Sequence, residues 1–139
     1  NVSQNTNGPV RIGILHPDAF GGGGGERVLW ILIQTLDKFY HQNNHQRVRI
    51  IVFVKSENNQ FLHSFDSVRS KLESQFGLNL SISLERSVRF EYLRLCPVLE
   101  PNQYPVCTLL LQFLGGALVA LEIASLYSSQ LDIFIDTTG

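Results

Sequence analysis

Val10-Arg11-Ile12-Gly13-Ile14-Leu15-His16-Pro17-Asp18-Ala19-Phe20-Gly21-Gly22-Gly23-Gly24-Gly25-Glu26-Arg27-Val28-Leu29-Trp30 is the stretch that decides the fold. Its first six residues are a short, β-branched run that reads as a strand. Beyond the glycines, Val28, Leu29, Leu32, Thr35, Leu36 and Phe39 recur at helical spacing, so a helix starts near Glu26. Strand, glycine loop and helix in that order open a parallel α/β domain. Consecutive glycines are costly to order, because Gly loses more backbone freedom on folding than any other residue. In return they leave the main chain open to close approach. The loop also feeds a helix N-terminus, whose unpaired N–H groups and positive dipole end suit a phosphate or another anion. An anion or sugar-phosphate site is the leading reading, and a ligand-free surface loop is the alternative. A Walker A loop is excluded, since Glu26-Arg27 stand where Lys-Ser/Thr is required. The dinucleotide fingerprint fits poorly as well: begun at Gly22, Gly-x-Gly-x-x-Gly ends on Arg27.

Working outward, the first helix is expected over Glu26 to Tyr40. Its apolar residues cover more than one stripe, which predicts deep burial near its start. The polar run His41 to Gln46 ends it. His41 and His45 have the i, i+4 spacing of a helical metal pair, but lack carboxylate or cysteine neighbours and read as a solvated loop. Val48 to Val54 is a nearly continuous apolar run, the mark of an interior parallel strand. Phe61, Leu62, Phe65, Val68 and Leu72 space out as an amphipathic helix closed by Gly77. Leu80-Ser81-Ile82-Ser83-Leu84 alternates and predicts a third strand. Arg86, Arg89 and Arg94, interleaved with Phe90, Tyr92 and Leu93 and diluted by Glu85 and Glu91, read as a solvated helix face rather than contacts for lipid phosphates.

Pro97 to Pro105 reads as a loop. Cys107 to Tyr127 is the most hydrophobic stretch and is about as long as a membrane span, yet Gln112, Gly115-Gly116 and Glu122 interrupt it. It is expected to be a buried helix of the α/β domain rather than a span, with contact to the bilayer surface left open. Leu131 to Asp136 reads as the fourth strand. Strands alternating with helices imply β-α-β units in one parallel sheet, and ligands of such sheets sit outside the carboxyl ends of the strands. His16, Gly22 to Gly25, Asp136 and Thr137 all lie at such ends and are expected to converge.

The 139 residues allow one domain with a real core. A hydrophobic fraction of 44% and a formal net charge of −1 describe a globular chain and argue against nucleic acid as a partner. No Met occurs, so residue 1 is not read as an initiator, and Asn1 to Gly8 reads as a frayed polar tail before a domain over 9–139. No leader peptide is recognised. Cys96 and Cys107 read as reduced, packed thiols, since one pair does not make a disulfide scaffold. The sequons at Asn1 and Asn79 do not settle the compartment, because such triplets arise by chance and need lumenal exposure to be used.

The string His16-Pro17, Gly22 to Gly25 and Glu26-Arg27-Val28-Leu29-Trp30 closely resembles the opening of the alpha-1,2-mannosyltransferase family of the asparagine-linked glycosylation pathway. Thr108-Leu109-Leu110-Leu111-Gln112, Leu114-Gly115-Gly116 and Asp132 to Gly139 are similar to that family's leucine-rich helix and following strand. The order and spacing agree from about residue 10 to the last residue, with a less distinctive middle. Ala19-Phe20-Gly21 departs from the usual residues ahead of four glycines, and the fifth glycine is expected to loosen the loop.

The resemblance implies the Rossmann-like, acceptor-side N-terminal half of a two-domain GT-B glycosyltransferase, truncated, with the donor-binding C-terminal domain and the membrane-anchoring helix outside this sequence. It implies transfer of mannose from GDP-mannose to a dolichol-diphosphate-linked oligosaccharide, at the cytosolic face of the endoplasmic reticulum membrane. Neither a metal nor a cofactor is implied. Gly22, Gly23, Gly24, Gly25 and Glu26 would lie near the donor diphosphate, offsetting charge on the leaving GDP. His16, Asp136 and Thr137 would line the cleft. No catalytic residue is assigned, and the chain alone is expected to be inactive. Two other readings are a non-catalytic membrane-docking subunit of a split glycosyltransferase and a small nucleotide-binding module.

Overall fold

The computed structural model describes residues 8–43, 47–55, 65–80, 82–95 and 108–137. The elements are β1 (Val10–Leu15), α1 (Gly24–Asn43), β2 (Val48–Lys55), α2 (Phe65–Phe76), α3 (Ile82–Glu85), β3 (Val88–Leu93), α4 (Thr108–Tyr127) and β4 (Ile133–Asp136), with a 3-10 turn over Ser128–Gln130. The strands form one sheet in the order β3-β2-β1-β4, every neighbouring pair parallel. That is the α/β, Rossmann-like arrangement expected.

Strand side chains alternate between two faces. Ile12, Ile14, Val48, Ile50, Val52 and Val54 meet Leu29, Trp30 and Ile33 of α1 and Val68 and Leu72 of α2 in the larger core. On the opposite face Leu15, Phe53 and Leu93 meet Val119 and Ile123 of α4. Gly13 lies on that second face. A Cβ there would stand 2.7 Å from Leu131 Cδ1 and 3.0 Å from Phe53 Cε2, so its bareness lets Leu131 and the Phe53 ring pack closely over this face.

The third strand is displaced from the expected place. Leu80 and Leu84 are both buried, but four residues apart is also the repeat of one helical turn, and α3 forms over Ile82–Glu85 instead. The ladder goes to Val88–Leu93, with Val52 opposite Phe90 and Val54 opposite Tyr92. Aromatic and β-branched residues at every second position supply the strand, with Arg89 inside it, Arg86 in the turn before it and Arg94 just past its end, so the three arginines do not make a helix face. Helix α1 begins two residues earlier and ends three later than expected, so His41 is helical. Helix α2 stops at Gly77, whose φ is +64° and whose N–H donates to Glu73 O at 3.0 Å. Phe61 and Leu62, together with Pro97 to Pro105, lie outside the described residues.

Helix α4 is not the buried helix expected. Only one stripe, Gly115, Val119 and Ile123, is buried. Leu109 is 85% exposed, Phe113 74% and Leu121 65%. A helix laid on a sheet buries the face it turns to the sheet, and the described residues offer nothing to cover the rest. The segment Leu109–Gln130 is long and apolar enough to cross a membrane by length and composition alone. Glu122 has a structural task within it: its carboxylate accepts the N–H groups of Arg94 at 3.2 Å and Leu95 at 3.1 Å, just past the end of β3.

Candidate functional site

The turn after β1 is pinned before the glycines begin. Lys55 N–H donates to Pro17 O at 3.1 Å, and the Lys55 ammonium pairs with Asp18 at 2.7 Å, which ties the turn to the end of β2. Gly21 N–H closes back onto Asp18 O at 3.1 Å. Ala19 is buried, and its carbonyl accepts the indole N–H of Trp30 at 3.3 Å. The Phe20 ring packs 5.0 Å from Phe90 of β3. Ala19 and Phe20 thus anchor the turn ahead of the glycines.

The five glycines then divide. Gly22 has φ +92°, and a Cβ on it would fall 2.7 Å from Gln75 Oε1 of α2. It lines a cavity of about 160 Å³ together with Phe20, Glu26, Trp30, Lys71 and Gln75. Gly21 and Gly23 arch over the buried Glu26 carboxylate, each with its Cβ position 2.8 Å from one carboxylate oxygen. Gly24 faces open space, and Gly25 sits over the His16 ring, its Cβ position 3.4 Å from Cε1. The first bond into the helix is Arg27 N–H to Gly23 O at 3.3 Å. The N–H groups of Gly24, Gly25 and Glu26 precede it, and these are the donors a helix start leaves for a ligand.

At the neighbouring strand end the expected convergence is present in part. His16 N–H donates to Phe53 O at 3.0 Å, and its Nδ1 lies 2.8 Å from Thr137 Oγ1. Thr137 ties itself to Leu15 O twice, through N–H at 3.1 Å and through its hydroxyl at 2.8 Å. Asp136 pairs with Leu15 in the sheet register. His16, Gly25, Glu26 and Thr137 thus form one group, beside Asp136 and Gly24, whereas Gly22 faces the α2 cavity. Burial pushes the His16 imidazole pKa below its usual value, against the opposing influence of Glu26 and Asp18.

Among the described residues no group of His, Cys, Asp and Glu is arranged to hold a metal. His41 lies 3.7 Å from Asp37 on its own helix, and His45 is outside the described residues, as are Cys96 and Cys107. Sequence reading missed Lys71 and Gln75. Lys71 donates its ammonium to Phe20 O and lines the cavity, but it follows the loop by about fifty residues and no local pattern links the two.

Residues 9–139 match the family model described as ALG11 mannosyltransferase N-terminus. Among curated proteins, the GDP-Man:Man(3)GlcNAc(2)-PP-Dol alpha-1,2-mannosyltransferase of Caenorhabditis elegans is 31% identical over 92% of this chain and 24% of its own length. The proteins of that name from Mus musculus and Homo sapiens are 32% and 31% identical over 100% of this chain, which covers 26% and 25% of them. The chain thus spans about a quarter of the length of these relatives. No solved structure matches it.

Proposed function

Because the chain belongs to the ALG11 mannosyltransferase N-terminus family, we propose that it forms the acceptor-side half of a GDP-mannose-dependent alpha-1,2-mannosyltransferase. Its acceptor is a dolichol-diphosphate-linked oligosaccharide of the N-glycosylation pathway, met at the cytosolic face of the endoplasmic reticulum membrane. The observation that carries this reading is the meeting of a bare helix N-terminus with the β1 and β4 carboxyl ends, at one edge of a parallel sheet. The N–H groups of Gly24, Gly25 and Glu26 bind the donor diphosphate and offset charge as GDP leaves. Glu26 contributes through its main chain. Its carboxylate, folded under Gly21 and Gly23, repels an anion on the inner side of the arch, so the diphosphate takes the outer side at Gly24. Asp136 lines the acceptor side. Neither a metal nor a cofactor takes part, and the donor is held mainly by the rest of the full-length protein.

The exposed apolar face of α4 rests on the membrane surface, which keeps a lipid-linked substrate within reach. Because its other stripe is engaged by Leu15, Phe53 and Leu93, the helix lies along the bilayer rather than across it. The test is transfer from radiolabelled GDP-mannose to the lipid-linked oligosaccharide by the full-length protein. Gly24→Ala keeps its N–H but puts a methyl into the open space through which the diphosphate would approach, and is expected to raise the KM for GDP-mannose by roughly 10-fold. Absence of transfer sinks the transferase reading. Transfer with an unchanged donor KM sinks the assignment of the loop.

A further inference from the structure

His16 is 8% exposed, and no other histidine among the described residues is buried. Its ring nitrogens are not equivalent. Thr137 Oγ1 lies 2.8 Å from Leu15 O and 2.8 Å from His16 Nδ1. Leu15 O can only accept, and the hydroxyl has one hydrogen, so that hydrogen goes to Leu15 O. Both short contacts are satisfied only when Nδ1 carries a proton and donates to Oγ1. A neutral ring therefore has its lone pair on Nε2. Nε2 has no hydrogen-bond partner among the described residues and lies 3.8 Å from the Cβ position of Gly25, beside the first turn of α1. A side chain larger than glycine would crowd that approach. The negative charges of Glu26 on α1 and of Asp18 in the turn after β1, itself paired to Lys55, act on the ring, and Asp136, the last residue of β4, immediately precedes Thr137. An anion meets a lone pair and carboxylates here, while a hydroxyl donor meets an acceptor.

We infer that His16 Nε2 accepts a hydrogen bond from a sugar hydroxyl of the acceptor glycan, with Thr137 as the positioning residue that fixes the tautomer. The inference rests on the transferase reading and deepens it. It divides the edge into an anion half at Gly24 and a hydroxyl half at His16.

The experiment uses the full-length protein, GDP-mannose and lipid-linked Man(3)GlcNAc(2). His16→Asn leaves an amide near the Nδ1 position and nothing at Nε2. It is expected to raise the KM for the glycan roughly 10-fold with the donor KM unchanged. His16→Gln, which can place an acceptor near Nε2, recovers part of the loss. Thr137→Val acts in the same direction as His16→Asn, and Thr137→Ser restores the original value. In the unsubstituted protein the glycan KM rises on acidification as the ring takes a second proton, and His16→Asn abolishes that rise.

Selective ¹⁵N labelling of histidine reads the tautomer directly: Nδ1 resonates as a protonated nitrogen and Nε2 as a bare one. A protonated Nε2 in the neutral ring overturns the inference, as does a glycan KM untouched by His16→Asn or a donor KM that moves equally. If the unsubstituted protein transfers no mannose, the transferase reading fails on its own account. The Nε2 resonance then decides this inference, since added glycan must move it and a stationary signal refutes the contact.

Discussion

Glycines of one short loop are not interchangeable, and the difference lies in what surrounds each. Gly22 sits at φ +92° with Gln75 against it, so Gly22→Ala is expected to lower stability by about 1–2 kcal/mol, mostly as backbone strain, because the Gln75 amide can move aside. Gly24 has nothing within 4 Å of its Cβ position and opens α1. Gly24→Ala should raise stability by about 0.4–1 kcal/mol, since alanine leaves the unfolded chain less freedom to lose. Urea titrations of both variants check the pair of signs. A Gly24 variant that is more stable yet binds GDP-mannose less well separates the loop's function from its folding. Gly13→Ala belongs with Gly22→Ala: its methyl would press on Leu131 and on the Phe53 ring, at a cost of about 1–3 kcal/mol.

At the scale of elements, legibility followed how many constraints each segment carried. β1 and β2 were readable because a strand covered on both faces is apolar throughout, and the run Ile50 to Val54 admits little else. β3 was not, because Leu80 and Leu84 satisfy a strand and a helical turn alike, and only the ladder against β2 decides between them. The meeting of His16 with Thr137 was readable in outline, since both follow strands and parallel strands end on one edge. The Thr137–Leu15 bonds that orient the ring were not, because they depend on a register between residues more than a hundred apart. The extent of burial of α4 was also hidden, since composition reports how apolar a helix is and not how many of its sides are covered.

That uncovered face makes a prediction at the same scale. Phe113→Glu combined with Leu121→Glu changes two exposed positions, and is expected to leave the unfolding free energy from urea titration within about 0.5 kcal/mol while reducing flotation with lipid vesicles. Val119→Glu, at a fully buried position, should instead destabilise by several kcal/mol, on the order expected for an unpaired buried charge. Equal vesicle binding by the double variant would remove α4 from the membrane contact.

The elements meet at His16, which directly follows β1: β2 accepts its N–H, Thr137 just past β4 orients its ring and α1 roofs it. Protonating that ring therefore bears on the stability of the entire sheet. Burial lowers its pKa below the ordinary 6.5, so through that region the unfolded chain takes up a proton that the folded one resists. Stability from this group is complete above pH 6.5 and declines as the pH falls from there toward the lowered folded value. The carboxylate of Asp132, held below its usual 3.8 by hydrogen bonds from Arg11, works in a separate and more acidic window. Its stabilising share is present above pH 3.8 and lost below it. The two groups can thus be told apart by pH. Urea midpoints measured from pH 7.5 to 5 should fall for the unsubstituted chain and fall less for His16→Gln, which carries no titrating ring. Parallel curves for the two proteins would mean that the ring titrates alike in the folded and unfolded chain, and that this junction does not hold its imidazole neutral.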